Sequence, residues 1–357
     1  SGRMGLKILH SADWHLDSPF QGFTERQRQY LKEEQRKIPG KIAEICRTED
    51  CDLVLLAGDL FDGEASRESV DLLKRELENC GVPVLIAPGN HDFCSDGSPW
   101  QEETWPENVF VFTGELESVT IRGLDCRVYG AAFRSMDCAS ILEGFRAQGD
   151  EKYCLAVLHG DPLQRNSPYN PVTNAQVRNS SLDYLALGHV HKAGLFHSGE
   201  TVCAWPGCPM GRGWDETGEK GICIVTIDED TKVQTRSLNL PRFFDLEAEV
   251  NGDALEAVEA VLPAVAGDDF YRVTLTGSGN VDLEALRQEF ADFPNLELRD
   301  RTEPPVEVWA DADQDSLEGI YFGMLRKALE DSPENARRIQ LAAEISRKLL
   351  SGREVKL

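Results

Sequence analysis

At 357 residues, with 41% apolar side chains and a formal net charge of -25, the chain has the make-up of a folded, acidic protein. Single cores rarely grow beyond roughly 250 residues, so more than one unit is expected. No apolar run approaches the roughly 20 residues needed to span a bilayer, and the charge argues against a surface that grips nucleic acid unaided.

In chain order, "LKILHSADWH", "DLVLLAGDLFD", "PVLIAPGNHD", "YCLAVLHGD" and "DYLALGHVH" read as short buried strands, each ending in a polar cluster. Helical patterns over 26–47 and 66–79 separate the early ones. "ENVFVFTG", "CRVYGAAF", "KGICIVTID" and "TRSLNL" lack intervening helices and suggest antiparallel pairing. A layered α/β domain over 4–241 is expected. Residues 242–310, where the acidity is densest, alternate strands with helices over 253–265 and 282–290 and read as a small α+β unit. "TEPPVEVWADADQDS" reads as a linker and 316–350 as a helical hairpin, so that 311–357 form linker and tail. Residues 1–3, ahead of Met4, read as an added leader, and the absence of a secretory signal gives the expectation of a soluble, cytoplasmic protein.

Ten cysteines lie scattered in apolar segments without a C-x-x-C pair, the pattern of buried free thiols; a zinc site at Cys203 and Cys208 is a weak alternative.

The chemistry gathers at the strand ends, where open α/β sheets place their sites. Asp13 and His15, Asp59 and Asp62, Asn90, His91 and Asp92, His159, and His189 with His191 include five of the seven histidines. A single histidine after a strand is more often structural, but five in one pattern are not. Carboxylate, imidazole and amide oxygen make a mixed N/O ligand set suited to Mn, Fe or Zn. Seven candidate ligands, Asp13, His15, Asp59, Asn90, His159, His189 and His191, exceed one ion's needs and suit a dinuclear centre for phosphoester hydrolysis. The glycines before Asp59, Asn90 and His189 would let the backbone turn into the site. Asp92 is expected to hold its turn, His10 to be packed, and His197 to be an exposed turn residue. Asp17, Ser18 and Arg212 are weak candidates for substrate contact. Trp14, Phe20 and Phe23 favour packing over stacking on bases.

"DWH", "GDLFD", "GNHD", "HGD" and "GHVH", in this order, resemble the motifs of the calcineurin-like metallophosphoesterases. "HLDSPF", "YLALGHVHK" and "PGCPMGRGWDETGEKG" narrow the resemblance to the SbcD-type DNA-repair nucleases, in their YhaO-like branch. Cys208 departs from the pattern, since a polar residue often follows that Pro-Gly.

The resemblance implies a four-layer α/β/β/α sandwich with a small capping domain and a C-terminal helical hairpin. It implies one metal held by Asp13, His15 and His191, a second by Asn90, His159 and His189, and Asp59 bridging. It gives His91 the role of stabilising the transition state or protonating the leaving oxygen, with Asp62 orienting its ring. The implied activity is a Mn-dependent DNA nuclease, exonuclease or endonuclease, with an SMC-like ATPase docked on 316–350, and the resemblance leaves room for a homodimer. The alternatives are a phosphodiesterase or phosphatase of small molecules or phosphoproteins, and a catalytically silent scaffold that binds DNA ends. Ser/Thr phosphatases typically carry GNHE and an arginine where this chain has GNHD and Gly63.

Overall fold

The computed structural model describes residues 5–353 and Val355; the leader expected at residues 1–3 lies outside the described residues. The elements run β1 (Leu6–Ser11), α1 (Glu25–Gln35), α2 (Ile38–Thr48), β2 (Leu53–Leu56), α3 (Arg67–Asn79), β3 (Val84–Ile86), α4 (Pro99–Glu102) and β4 (Val109–Val111). There follow β5 (Glu117–Ile121), β6 (Cys126–Gly130), β7 (Tyr153–His159), α5 (Asn174–Arg178), β8 (Tyr184–Gly188), β9 (Gly194–Ser198), β10 (Thr201–Trp205), β11 (Ile222–Ile227) and β12 (Thr231–Arg236). The last third holds β13 (Phe243–Asn251), α6 (Ala254–Val261), β14 (Phe270–Ser278), α7 (Leu283–Glu289), β15 (Leu296–Asp300), α8 (Leu317–Asp331) and α9 (Ala336–Leu350).

Two six-stranded sheets, ordered β12-β11-β1-β2-β3-β4 and β5-β6-β7-β8-β10-β9, form the middle layers of an α/β/β/α sandwich. The continuous apolar runs of the strands divide by the two-residue period of a strand. Ile8, Leu53, Leu55 and Leu85 face one core together with Leu155, Val157 and Ala186 of the second sheet. Leu9, Val54, Leu56 and Ile86 face another, which contains Leu31, Ile42 and Leu73 of the covering helices. Leu158, Leu185 and Leu187 face a third with Val177 of α5.

The strands β1, β2 and β3 are parallel neighbours, as are β6, β7 and β8, so their C-terminal ends come out on one edge. Three expectations change. The helix over 26–47 is two helices, because Pro39 lacks an N–H and its ring would strike the carbonyl four residues earlier, at Gln35, where α1 stops. "ENVFVFTG" supplies β4, which pairs parallel to β3, and β6 is antiparallel only to β5. β12 ends at Arg236, so "SLNL" continues no strand.

Contacts group the chain into two compact units, one reaching Phe244 and including Asp268–Phe270, the other comprising Asp245–Gly267 and the residues from Tyr271 onward. In the second unit, β13, β14 and β15 form a three-stranded sheet whose core joins Val250, Val273, Leu275 and Leu298 to Val258 of α6 and Leu286 of α7. Asp253 and Asp282 cap these two helices. The α8–α9 hairpin closes on Phe322 and Ala343 with Val308 and Ala312, so part of the segment expected as a linker packs into the hairpin. Arg347 holds it there: its guanidinium lies 3.6 Å from the Phe322 ring centroid, donates to the Val308 carbonyl at 2.8 Å and pairs with Asp311. Among the described residues no helix is long and apolar enough to cross a membrane.

Candidate metal centre

The parallel strand ends bring the predicted clusters together. Asp13, His15, Asp59, Asn90 and His159 are buried, His189 and His191 are partly exposed and His91 is exposed. Asp13, His15, Asp59 and His189 have φ of +57°, +49°, +54° and +119°, a region that side chains other than glycine rarely enter. The turn after β2 needs Gly58, at φ +90°, because an added Cβ would lie 2.7 Å from the Gly89 nitrogen and 2.8 Å from His159 Nδ1. Gly89 is open for a different reason: a Cβ there would run into the Asp59 carboxylate.

Hydrogen bonds fix which nitrogen of each ring faces inward. His159 Nδ1 is 2.8 Å from the Ala57 carbonyl, which can only accept, so Nδ1 carries a proton. Its Nε2 therefore turns toward Asn90 Oδ1 at 2.9 Å and Asp59 Oδ2 at 3.3 Å. His15 Nδ1 donates to Asp62 Oδ1 at 2.9 Å, and His191 Nδ1 donates to Glu216. The two remaining Nε2 atoms lie 3.2 Å apart; His15 Nε2 is 3.7 Å from Asp59 Oδ2, and His191 Nε2 is 3.9 Å from Asp13 Oδ1.

Two ring lone pairs facing each other beside carboxylates call for a cation between them. Asp13 Oδ1 and Asp59 Oδ2 repeat the demand, for both are buried without a hydrogen-bond partner, a costly arrangement unless something positive sits there. Two groups of ligand atoms within 4.8 Å of one another emerge, Asp13, His15 and His191, and Asp13, Asp59 and His159. Divalent ions therefore fit the residues present. The field agrees. Burial works against the charged form of His159, but Asp59 and Asp13 outweigh it and push the ring up to about 9. Burial likewise opposes ionisation of Asp59, yet His159, His15 and His91 hold its carboxyl well below the usual range. His189, whose ring meets His159 edge-on at 5.2 Å, is pushed down to about 4 by burial and by the His159 charge.

Other candidates find different places. Asp62, expected beside His91, instead pairs with His15 and with Arg212 at 3.2 Å. Asp92 holds its turn: its carboxylate accepts from the backbone of Asp59, Leu60, Phe61 and Gly89, and burial and Asp59 push it up to about 6. His10 is buried between the Tyr184 hydroxyl and the Leu187 carbonyl. His197 is exposed, but in β9 and paired with Val202 rather than in a turn. Asp17 accepts from Ser66 and Ser69 of the α3 N-terminus, and Ser18 is buried on the His15 carbonyl. Trp14 and Phe20 are buried, and Phe23 packs against Trp214, Phe243 and Phe270. All ten cysteines are free, and neither metal-capable group among the described residues contains one.

Sequence reasoning missed three supports. Gln35, at the end of α1, donates to the carbonyls of Trp14 and His15 and so holds the first loop. Asp161 caps the turn after β7 and brings its second oxygen to 3.9 Å from His189 Nε2. Glu216 orients His191; its only signal was a place in the Gly-rich segment after β10.

A sandwich of two sheets with a mixed carboxylate, imidazole and amide centre at their shared strand ends defines a metallophosphoesterase hydrolase. Residues 6–193 match the family described as "Calcineurin-like phosphoesterase", and the chain belongs to it. It is 32% identical over 240 residues to the uncharacterized metallophosphoesterase YhaO of Bacillus subtilis, an alignment covering 62% of this chain and 57% of that protein's length. It is 23% identical to the SbcD component of the nuclease SbcCD of Staphylococcus epidermidis, over 89% of this chain and 93% of that one. A dimetal phosphatase from Danio rerio aligns in space with a TM-score of 0.45 and 14% identity, over 66% of this chain and 97% of its own.

Proposed function

We propose that the chain hydrolyses phosphodiester bonds in DNA at a dinuclear centre. Asp13, His15 and His191 would hold one ion, Asn90, His159 and His189 the other, with Asp59 between them; manganese suits this ligand set, as do iron and zinc. The observation that carries the reading is the pair of buried, unpartnered oxygens of Asp13 and Asp59 opposite inward-facing imidazole nitrogens. When bound, such ions lower the pKa of water and neutralise charge on a phosphoryl group.

The protein's own groups do the rest. His91 donates its backbone N–H to Asp59 Oδ1 at 2.9 Å, and its ring lies 5.2 Å from that of His15, exposed at the rim of the centre. That position suits a side chain that delivers a proton to the leaving oxygen. A cavity of about 780 Å³ beside His191 carries Lys192, Lys220 and Arg236 but also Asp215, Glu216 and Glu219, so its walls balance in charge and any grip on a phosphate-bearing strand must come from the ions or a partner. The relative named as part of a nuclease supports DNA as substrate. Residues 4–241 would then be the catalytic domain, 242–310 a cap, and 316–350 the dock for an SMC-like ATPase that supplies the grip the acidic chain lacks. Leu317, Ile320 and Met324 of α8, and Leu349 and Leu350 of α9, are exposed apolar side chains available for it.

One assay panel tests the reading: Mn, Mg, Zn or no metal, on single-stranded DNA, duplex DNA and a small aryl phosphodiester, for wild type and His91→Ala. DNA cleavage with Mn that falls sharply in His91→Ala is expected. Cleavage of the small ester alone, with or without the ATPase, would favour a small-molecule phosphodiesterase, and no hydrolysis at all would leave a DNA-end-binding scaffold.

A further inference from the structure

The two imidazoles of one proposed ion site are each held by a carboxylate, and one guanidinium holds both carboxylates. His15 Nδ1 donates to Asp62 Oδ1, which also accepts from Arg212 Nη1 at 3.2 Å. His191 Nδ1 donates to Glu216 Oε2, while Glu216 Oε1 accepts from Arg212 Nε at 3.0 Å and from its backbone N–H at 3.1 Å. The side chains are mostly buried, with 29% of Arg212, 17% of Asp62 and 12% of Glu216 exposed, so solvent weakens these pairs less than it would on an open surface. Arg212 joins segments 150 residues apart, the loop after β2 and the loop after β10. The other site is held differently: His159 leans on the main-chain carbonyl of Ala57, which no side-chain change removes, and His189 has Asp161 Oδ2 3.9 Å from its Nε2.

We infer that Arg212 is a positioning residue for the ion site of Asp13, His15 and His191, locking both ring tautomers through Asp62 and Glu216. The inference rests on the dinuclear reading above. A carboxylate behind a ligating imidazole fixes the tautomer and raises the basicity of the ligating nitrogen, and losing such a partner typically costs about 10–100-fold in metal affinity. Here one side chain serves two ligands of the same ion. A lysine, a point charge without a fork, cannot hold both carboxylates in their present directions.

The test is a manganese titration of the full chain, followed by calorimetry and by electron paramagnetic resonance, for wild type, Arg212→Lys, Glu216→Gln and Glu216→Ala. Wild type is expected to take up two ions and give the exchange-coupled signal of neighbouring manganese. Arg212→Lys should keep one ion at wild-type affinity, weaken the other about 10–100-fold, and show an uncoupled signal at one equivalent. Glu216→Gln retains an oxygen that accepts from His191 Nδ1 and should bind the weakened ion better than Glu216→Ala. Urea midpoints of the metal-free proteins separate this from general loosening, which would lower the midpoint and weaken both ions together. Two ions bound equally well in Arg212→Lys and in wild type, or both weakened alike, would overturn the inference while leaving the dinuclear reading intact. A wild type that binds fewer than two ions overturns that reading and this inference with it. Should Arg212→Lys not fold, the order of Glu216→Gln and Glu216→Ala decides alone, and no difference between them rejects the proposal.

Discussion

Replacing Asp92 by alanine removes the acceptor on which the second and third strand-end turns depend. Its carboxylate takes backbone N–H groups from Asp59 at 3.0 Å, Leu60 at 2.8 Å and Gly89 at 2.8 Å, with a weaker contact to Phe61 at 3.4 Å. All lie in a buried region, where a donor left without a partner costs ~1–3 kcal/mol. Three strong bonds set the loss at ~3–9 kcal/mol, and water entering the vacated space recovers part of it, leaving about 4 kcal/mol. Asparagine keeps one accepting oxygen and hence one side of the fork, so Asp92→Asn should lose about half as much. Urea unfolding of the metal-free chain, with the slope compared to confirm a common transition, reads both values. The same donors flank Asp59 and Asn90, so metal content should fall in the same order. Asp92→Ala within about 1 kcal/mol of wild type would refute the claim that this carboxylate holds the two turns.

His91→Ala should lower turnover about 10²–10⁴-fold while metal analysis still finds wild-type content, since no ligand is removed. Gly58→Ala forces a Cβ to 2.8 Å from His159 Nδ1 at φ +90°, and should cost ~2–4 kcal/mol in urea midpoint and displace His159 from its inward pose. Arg347→Ala removes the bonds to Val308 and Asp311 and the contact with Phe322, so limited proteolysis should cut within α8 and α9 sooner while metal uptake stays unchanged. Manganese at 100 times its dissociation constant should stabilise the chain by ~2.7 kcal/mol for each ion bound, and Asp59→Asn should abolish most of that gain in a thermal melt.

Much of the centre was legible because strand physics wrote it locally. A run such as "DLVLLAG" must be buried on both faces, so the polar residues that follow it emerge at a sheet edge, and five such edges in register converge. The supports were not legible for the opposite reason. Asp62 meets His15 across 47 residues and Arg212 across 150, and no spacing distinguishes a carboxylate that orients one imidazole from a carboxylate that orients its neighbour. Glu216 and Gln35 are common residue types in a loop and at a helix end, and only folding gives them the His191 ring and the His15 carbonyl. The break at Pro39 could have been read from the proline alone, whereas the parallel pairing of β4 depended on a long connection returning along β3.

Crystals grown with manganese, and an anomalous difference map collected at the manganese edge, test the central claim most directly. Two peaks on either side of Asp59 are expected, one within ligand distance of Asp13, His15 and His191, the other of Asn90, His159 and His189. A single peak, or manganese bound away from the Asp13 and Asp59 oxygens, would contradict the account.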